Sequence, residues 1–178
     1  YNYPLGHKPI TDNDTYRKIW EQSKNIEYPV IDKLEDKTRF HIDYDWFHQL
    51  ALKTIVTIKE SDICYQHGRM LYANLSHYIN NSTIKNFNII ETGTAAGFSA
   101  LCMAKALFDA GKPGKIFTFD PIPNNEKMYW NRIADQDGAR TRKELLEEYN
   151  YLINEYVIFC QGSSILEFEK IDICRIHF

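Results

Sequence analysis

The stretch Asn88-Ile89-Ile90-Glu91-Thr92-Gly93-Thr94-Ala95-Ala96-Gly97-Phe98-Ser99 gathers the residues of this chain whose types and spacing best suit chemistry. An apolar run ends in an acid, passes through residues that are almost all Gly, Ala or Thr, and enters a helical pattern. Small side chains let main chain approach a ligand closely, and a helix that follows such a turn offers free N–H groups to electronegative atoms. The spacing is E-x-G-x-x-x-G. It lacks the G-x-G-x-x-G dinucleotide fingerprint, because Ala95 stands two residues after Gly93, and no Gly-Lys-Ser/Thr closes it as a phosphate-binding loop would require. A second acid, Asp120, ends the run Ile116-Phe117-Thr118-Phe119-Asp120, 27 residues past Gly93. A carboxylate there accepts hydrogen bonds, either from the two hydroxyls of a ribose or from a turn that it caps. In the first case it is expected to be solvated while the ligand is absent.

The elements that must position these residues follow from periodicity. From Asn86 onward, short apolar runs alternate with helical stretches: strand 87–91, helix 98–110, strand 115–120, helix 142–154, strand 156–160 and a last strand around 174–178. Strands of about five residues separated by helices predict a parallel, helix-covered sheet. Gly111, Pro113 and Gly114 turn the chain between the first helix and second strand. Residues 121–138 form a long excursion between strand and helix, and such excursions are often functional. Before residue 86 the pattern is helical and aromatic-rich, over 14–23, 45–58 and 62–79, with Asp45 and Ser61 at N-cap positions. The third of these helices shows an apolar face of Ile63, Met70, Leu71, Leu75, Tyr78 and Ile79.

With these motifs in place the chain resembles the class I S-adenosylmethionine-dependent methyltransferases, and among them the small-molecule O-methyltransferase-like members. Glu91, Gly93 and Gly97 match the first motif of the family, Asp120 the second, and Gln161-Gly162-Ser163-Ser164 the turn after the third strand. The resemblance covers 86–178, about half the chain. It implies an α/β fold, a Rossmann-like doubly wound parallel sheet whose N-terminal half spans 86–178, preceded by an N-terminal helical region over 1–85. It also implies that main chain at Gly93, Thr94 and Ala95 lies along the methionine moiety of the cofactor, that Asp120 holds the ribose, and that Gly162 and Ser163 border the adenine. The implied activity is methyl transfer to an oxygen, less readily a nitrogen, of a small molecule or sugar. The chain departs from the family pattern at Arg175-Ile176-His177-Phe178, where it reads as truncated within or after the fourth strand, so no catalytic residue is assigned. A noncatalytic cofactor- or partner-binding member of the fold, and a nicotinamide-dependent oxidoreductase, are the alternatives.

The composition is that of a globular chain: 178 residues, 44% hydrophobic, with 21 Lys+Arg against 24 Asp+Glu, a net charge of −3. That balance, with no basic tract, argues against nucleic-acid binding. No apolar run is long enough for a membrane span and no secretory leader is visible, so a cytoplasmic setting is expected; the N-terminal helical region is expected either to cover cofactor and substrate or to mediate the contacts of a homodimer. Cys64, Cys102, Cys160 and Cys174 are 38, 58 and 14 residues apart, which is neither a disulfide framework nor a metal pattern. His41, Asp43 and Asp45 alternate, but a polar face with an N-cap acid explains them better than a metal site, and no metal ligand is assigned. Gln66 to Arg69 are placed to cover the carboxylate end of a cofactor, or simply to pack the helix. Asp135 to Lys143 reads as a solvated helix start.

Overall fold

The computed structural model describes residues 6–173 and 175–178. Three strands, β1 (Phe87–Thr92), β2 (Gly114–Asp120) and β3 (Val157–Gln161), form one parallel sheet in the order β1-β2-β3. The register sets Phe87 opposite Gly114, Glu91 opposite Thr118 and Asp120 opposite Gln161, so the three strands end at one edge of the sheet. Parallel neighbours need crossovers. The first is helix α5 (Phe98–Asp109), and the second is the whole segment 121–156. This is the α/β, Rossmann-like arrangement expected from the alternation of strands and helices.

Side chains alternate across the sheet. Phe87, Ile89 and Ile116 lie fully buried in the main core, whereas Ile158, on the other face, is 38% exposed. The more open face is lined by Ile90 and Phe119 together with Phe168, Ile171, Ile173 and Ile176, around a cavity of about 260 Å³.

Among the described residues, four helices precede β1. In α1 (Asn13–Lys24), Asp12 caps the start by accepting the Thr15 N–H at 2.8 Å, and Tyr16 and Trp20 are buried. Helix α2 (Pro29–Thr38) has no counterpart in the sequence reading, because it buries only Ile31 and Glu35, so one of its two buried positions is an acid. Helix α3 (Tyr44–Thr54) is capped by Asp43, whose carboxylate accepts the Trp46 N–H, and not by Asp45. Helix α4 (His67–Asn80) starts five residues later than the expected 62 and has no side-chain cap, so Ser61 is not an N-cap. Its buried face holds Leu75 and Ile79, while Met70 and Tyr78 are exposed. Gly68 lets α4 close on its neighbours: a Cβ there would stand 2.8 Å from Cys102 Sγ and from the Phe47 and Phe98 rings.

Two further expectations need correction. The predicted helix 142–154 is broken into α6 (Arg142–Leu145), a 3-10 turn (Glu147–Tyr149) and α7 (Asn150–Tyr156), since Leu146 and Tyr149 leave helical geometry at φ −102°, ψ 14°. The predicted strand at 174–178 includes Cys174, which lies outside the described residues, and 175–178 adopt no strand. These last residues do reach the free edge of β1, where the His177 N–H donates to Asn88 O at 2.8 Å and the Ile90 N–H to Phe178 O at 3.2 Å. A ladder fails because the Asn88 N–H donates to the His177 imidazole Nδ1 and not to a main-chain carbonyl. The chain thus returns to the free edge of β1, on the side away from β2.

Candidate functional site

At the carboxyl ends of the strands, the turn from β1 to α5 is held by three residues with left-handed backbone: Gly93 (φ 85°), Ala95 (φ 44°) and Gly97 (φ 92°). Two are glycines, for which this costs little, while Ala95 is strained by about 1–2 kcal/mol. The Gly93 N–H donates to Phe119 O at 2.8 Å and the Gly97 N–H to Thr94 O at 2.7 Å. Gly93 and Ala95 are exposed and Gly97 is buried. A Cβ on Gly93 would meet nothing within 4 Å, so the main chain there faces open space, whereas one on Gly97 would come within 3.0 Å of Leu146 Cδ1.

Asp120 is not solvated. It is 6% exposed, and its carboxylate accepts the Ala95 N–H at 2.7 Å on Oδ2 and the Ile122 N–H at 2.8 Å on Oδ1. Its carbonyl accepts the Gly162 N–H at 2.9 Å. Asp120 therefore joins two of the segments singled out from the sequence, and each carboxylate oxygen keeps a further lone pair. Gly162 (φ 140°) packs on Glu167, and Ser163 precedes the short helix α8 (Ser164–Phe168) with its side chain exposed and unused as a cap.

Glu91 and Thr94 stand on the inner side of the turn. Thr118 Oγ1 lies 2.5 Å from Glu91 Oε2 and 2.6 Å from Thr94 Oγ1, which links β1, the turn and β2 through hydroxyls. Burial raises the Glu91 carboxyl above the ordinary carboxylate range. Hydrogen bonds from Ser99 and Thr118 oppose that shift, and the nearby charge of Asp120 adds to it. Thr118, between two phenylalanines in an apolar strand, is the sequence signal that would have found this network.

The excursion holds what sequence reasoning missed. Arg142, expected in a solvated helix start, is 2% exposed. Its Nε donates to Ala95 O at 2.9 Å, Nη1 donates to Asn124 Oδ1, and the guanidinium lies 5.6 Å from the Trp130 ring and 5.4 Å from the Phe159 ring. Burial lowers its pKa from the ordinary arginine value, opposed by the charge of Asp120. Asp135, 2% exposed, accepts the Trp130 and Arg132 N–H groups. Asn131, left-handed at φ 55°, binds both polar groups of the Ile58 main chain and accepts the Tyr16 hydroxyl, and Arg132 Nε donates to Thr54 O. The excursion is docked on the N-terminal helices at one end and on the glycine turn at the other.

Gln66 and Arg69 do not reach the turn. Arg69, 7% exposed, donates to both carboxylate oxygens of Glu35, to Asp32, to Gln66 and to the Tyr44 hydroxyl, so it serves a buried ion-pair network between α2 and α4. His41 lies 3.8 Å from Glu35 and apart from the glycine turn's hydrogen-bond network. Among the described residues no group of three or more His, Cys, Asp or Glu is disposed to hold a metal ion, and no helix is long and apolar enough to cross a membrane.

No family model matches the chain, and no curated protein matches it. Eleven solved chains match. One is an SAH-bound methyltransferase of Podospora anserina, 17% identical, with 95% of this chain and 58% of that chain covered and a TM-score of 0.42. This chain therefore spans about 58% of the length of that structure.

Proposed function

We propose that the turn Gly93–Gly97 together with Asp120 binds S-adenosylmethionine, and that the protein transfers its methyl group to an oxygen of a small molecule or sugar. The observation that carries this reading is the pairing of an exposed, side-chain-free main chain at Gly93 with a carboxylate at the end of the next strand that keeps a free lone pair on each oxygen. Such a pair suits a ligand that has both a polar chain and a ribose. The residues fit the cofactor: Gly93, Thr94 and Ala95 would lie along its amino-acid part, Asp120 would accept from ribose hydroxyls, and Gly162 and Ser163 would border its base. When bound, the cofactor supplies a methyl group already activated by the sulfonium.

What the chain must add is alignment and the exclusion of water. The hydroxyl network of Glu91, Thr94 and Thr118 fixes the inner wall of the turn, and the buried Arg142, at the end of the excursion, holds its flank. A nicotinamide cofactor would ask for a second glycine where Ala95 stands.

Calorimetric titration of the protein with S-adenosylhomocysteine and with NAD tests this reading. Binding of the former at least tenfold tighter than NAD is expected, with Asp120→Asn weakening it by about tenfold or more through loss of charge-assisted bonds. Tight NAD binding without a response to the sulfonium-derived ligand refutes the assignment.

A further inference from the structure

Ala95 is the only one of the three left-handed residues of the turn that is not glycine, and it is held from both sides. Its N–H is taken by Asp120 Oδ2 at 2.7 Å, from the end of β2, and its C=O by Arg142 Nε at 2.9 Å, from the excursion. The two clamping groups carry opposite charges, and both are more than nine-tenths buried. Arg142 has no competing carboxylate among its hydrogen-bond partners: it reaches Ala95 O, Asn124 Oδ1 and, at 3.4 Å, Ile122 O. A buried guanidinium devoted to main-chain carbonyls and one amide is an expensive arrangement unless the backbone it holds matters.

We infer that Arg142 is a positioning residue of the cofactor turn: by holding the Ala95 carbonyl it keeps that peptide left-handed and makes the turn competent to bind. The consequence for ligand affinity rests on the function proposed above, while the effect on the turn itself does not. The same contact carries a coupling. The excursion that bears Arg142 is anchored through Asn131 and Arg132 to Ile58, Tyr16 and Thr54 of the N-terminal region, so docking of those helices is transmitted to the turn by Arg142.

Arg142→Lys keeps the charge but loses the planar fork that spans two acceptors, and Arg142→Met keeps much of the volume while losing both. Amide hydrogen exchange on the full chain, without ligand, reads the turn directly, because the Gly93, Ala95 and Gly97 N–H groups are all hydrogen-bonded. In both variants exchange at Ala95 and Gly97 is expected to accelerate tenfold or more, while Leu75 in α4 keeps its protection. Ala95→Gly, which removes the strain that the clamp opposes, is expected to restore S-adenosylhomocysteine affinity severalfold in the Arg142→Met background. A general packing defect would not be rescued in this way. Unchanged exchange in the turn overturns the inference, and so does a uniform rise that includes Leu75, which would mark Arg142 as general support. If the turn loosens as expected but the unsubstituted protein binds no S-adenosylhomocysteine, the positioning role stands and the proposed function fails.

Discussion

Gly93 and Gly97 share a left-handed backbone but differ in what surrounds them, so alanine at each separates the local cost of that backbone from packing. At Gly93 (φ 85°) an added methyl meets nothing within 4 Å, and the penalty is the left-handed backbone alone, about 1–2 kcal/mol, reduced by roughly 0.4–1 kcal/mol because alanine restricts the unfolded chain. At Gly97 (φ 92°) the same methyl would stand 3.0 Å from Leu146 Cδ1. Leu146 is fully buried and cannot swing into solvent, so overpacking adds about 1–3 kcal/mol. Urea denaturation followed by circular dichroism should therefore find Gly93→Ala mild and Gly97→Ala worse by about 1–3 kcal/mol, and thermal unfolding should show the latter as about 2–12 °C in midpoint for a chain of this size. Affinity should rank the other way for its fold-independent part. Gly93→Ala puts a methyl on the open face where the cofactor would lie and should weaken S-adenosylhomocysteine binding by tenfold or more in a protein that remains folded. Equal stabilities, within about 0.5 kcal/mol, would refute the packing account of Gly97, and normal binding by Gly93→Ala would remove Gly93 from the cofactor site.

Two further outcomes are expected. The raised pKa of Glu91 means that folding favours its neutral form: that stabilisation is complete below the unfolded pKa of about 4.3 and is lost as pH rises through the folded value. Glu91→Gln should accordingly be more stable than the parent at neutral pH, with the advantage gone below about pH 4, as read from denaturant midpoints across pH; an advantage that grows on acidification would contradict the burial account. Arg69→Met leaves Glu35, 0% exposed, as an uncompensated buried charge and should cost about 3–5 kcal/mol, whereas pairing it with Glu35→Leu should recover most of that loss. A single-variant loss under about 1 kcal/mol would show that Glu35 is not held by Arg69.

Strands β1 to β3, the glycine turn and the crossover α5 were legible because each is encoded within a dozen consecutive residues by apolar period and small-residue punctuation. The start of α6 was legible too, since Thr141-Arg142-Lys143-Glu144 is a capping box and both of its reciprocal bonds form. Beyond that point the sequence misled. Apolar period continues through 142–154, yet Leu146 and Tyr149 turn inward and break the helix, a choice made by the core and not by propensity. Arg142 and Asp135 read as surface residues because Arg142 meets the Ala95 carbonyl and the Asn124 side chain, 47 and 18 residues away, and Asp135 serves a turn folded locally around Trp130, and no pattern of side-chain types announces such partners. Helix α2 was missed for the opposite reason, since its buried face contains an acid, Glu35, where periodicity looks for an apolar residue.

Asp120 shows why a choice between ligand and cap was too narrow. One residue ties Ala95 and Ile122 through its carboxylate and Gly162 through its carbonyl, so the ends of β1, β2 and β3 are joined at a single point before any ligand arrives. A carboxylate free in solvent would have to be ordered on binding, at an entropic cost of about 0.5–1.5 kcal/mol for the side chain. Fixed by two N–H groups, it already presents its remaining lone pairs in one orientation. The turn it caps is likewise held in the conformation that exposes Gly93. Arg142 then balances the arrangement electrically, since a buried carboxylate next to Glu91 would otherwise leave two like charges at the mouth of the sheet. On the function proposed above, capping and binding would be the same use of Asp120 at two stages, and the residue that offsets its charge comes from the excursion and not from the motif.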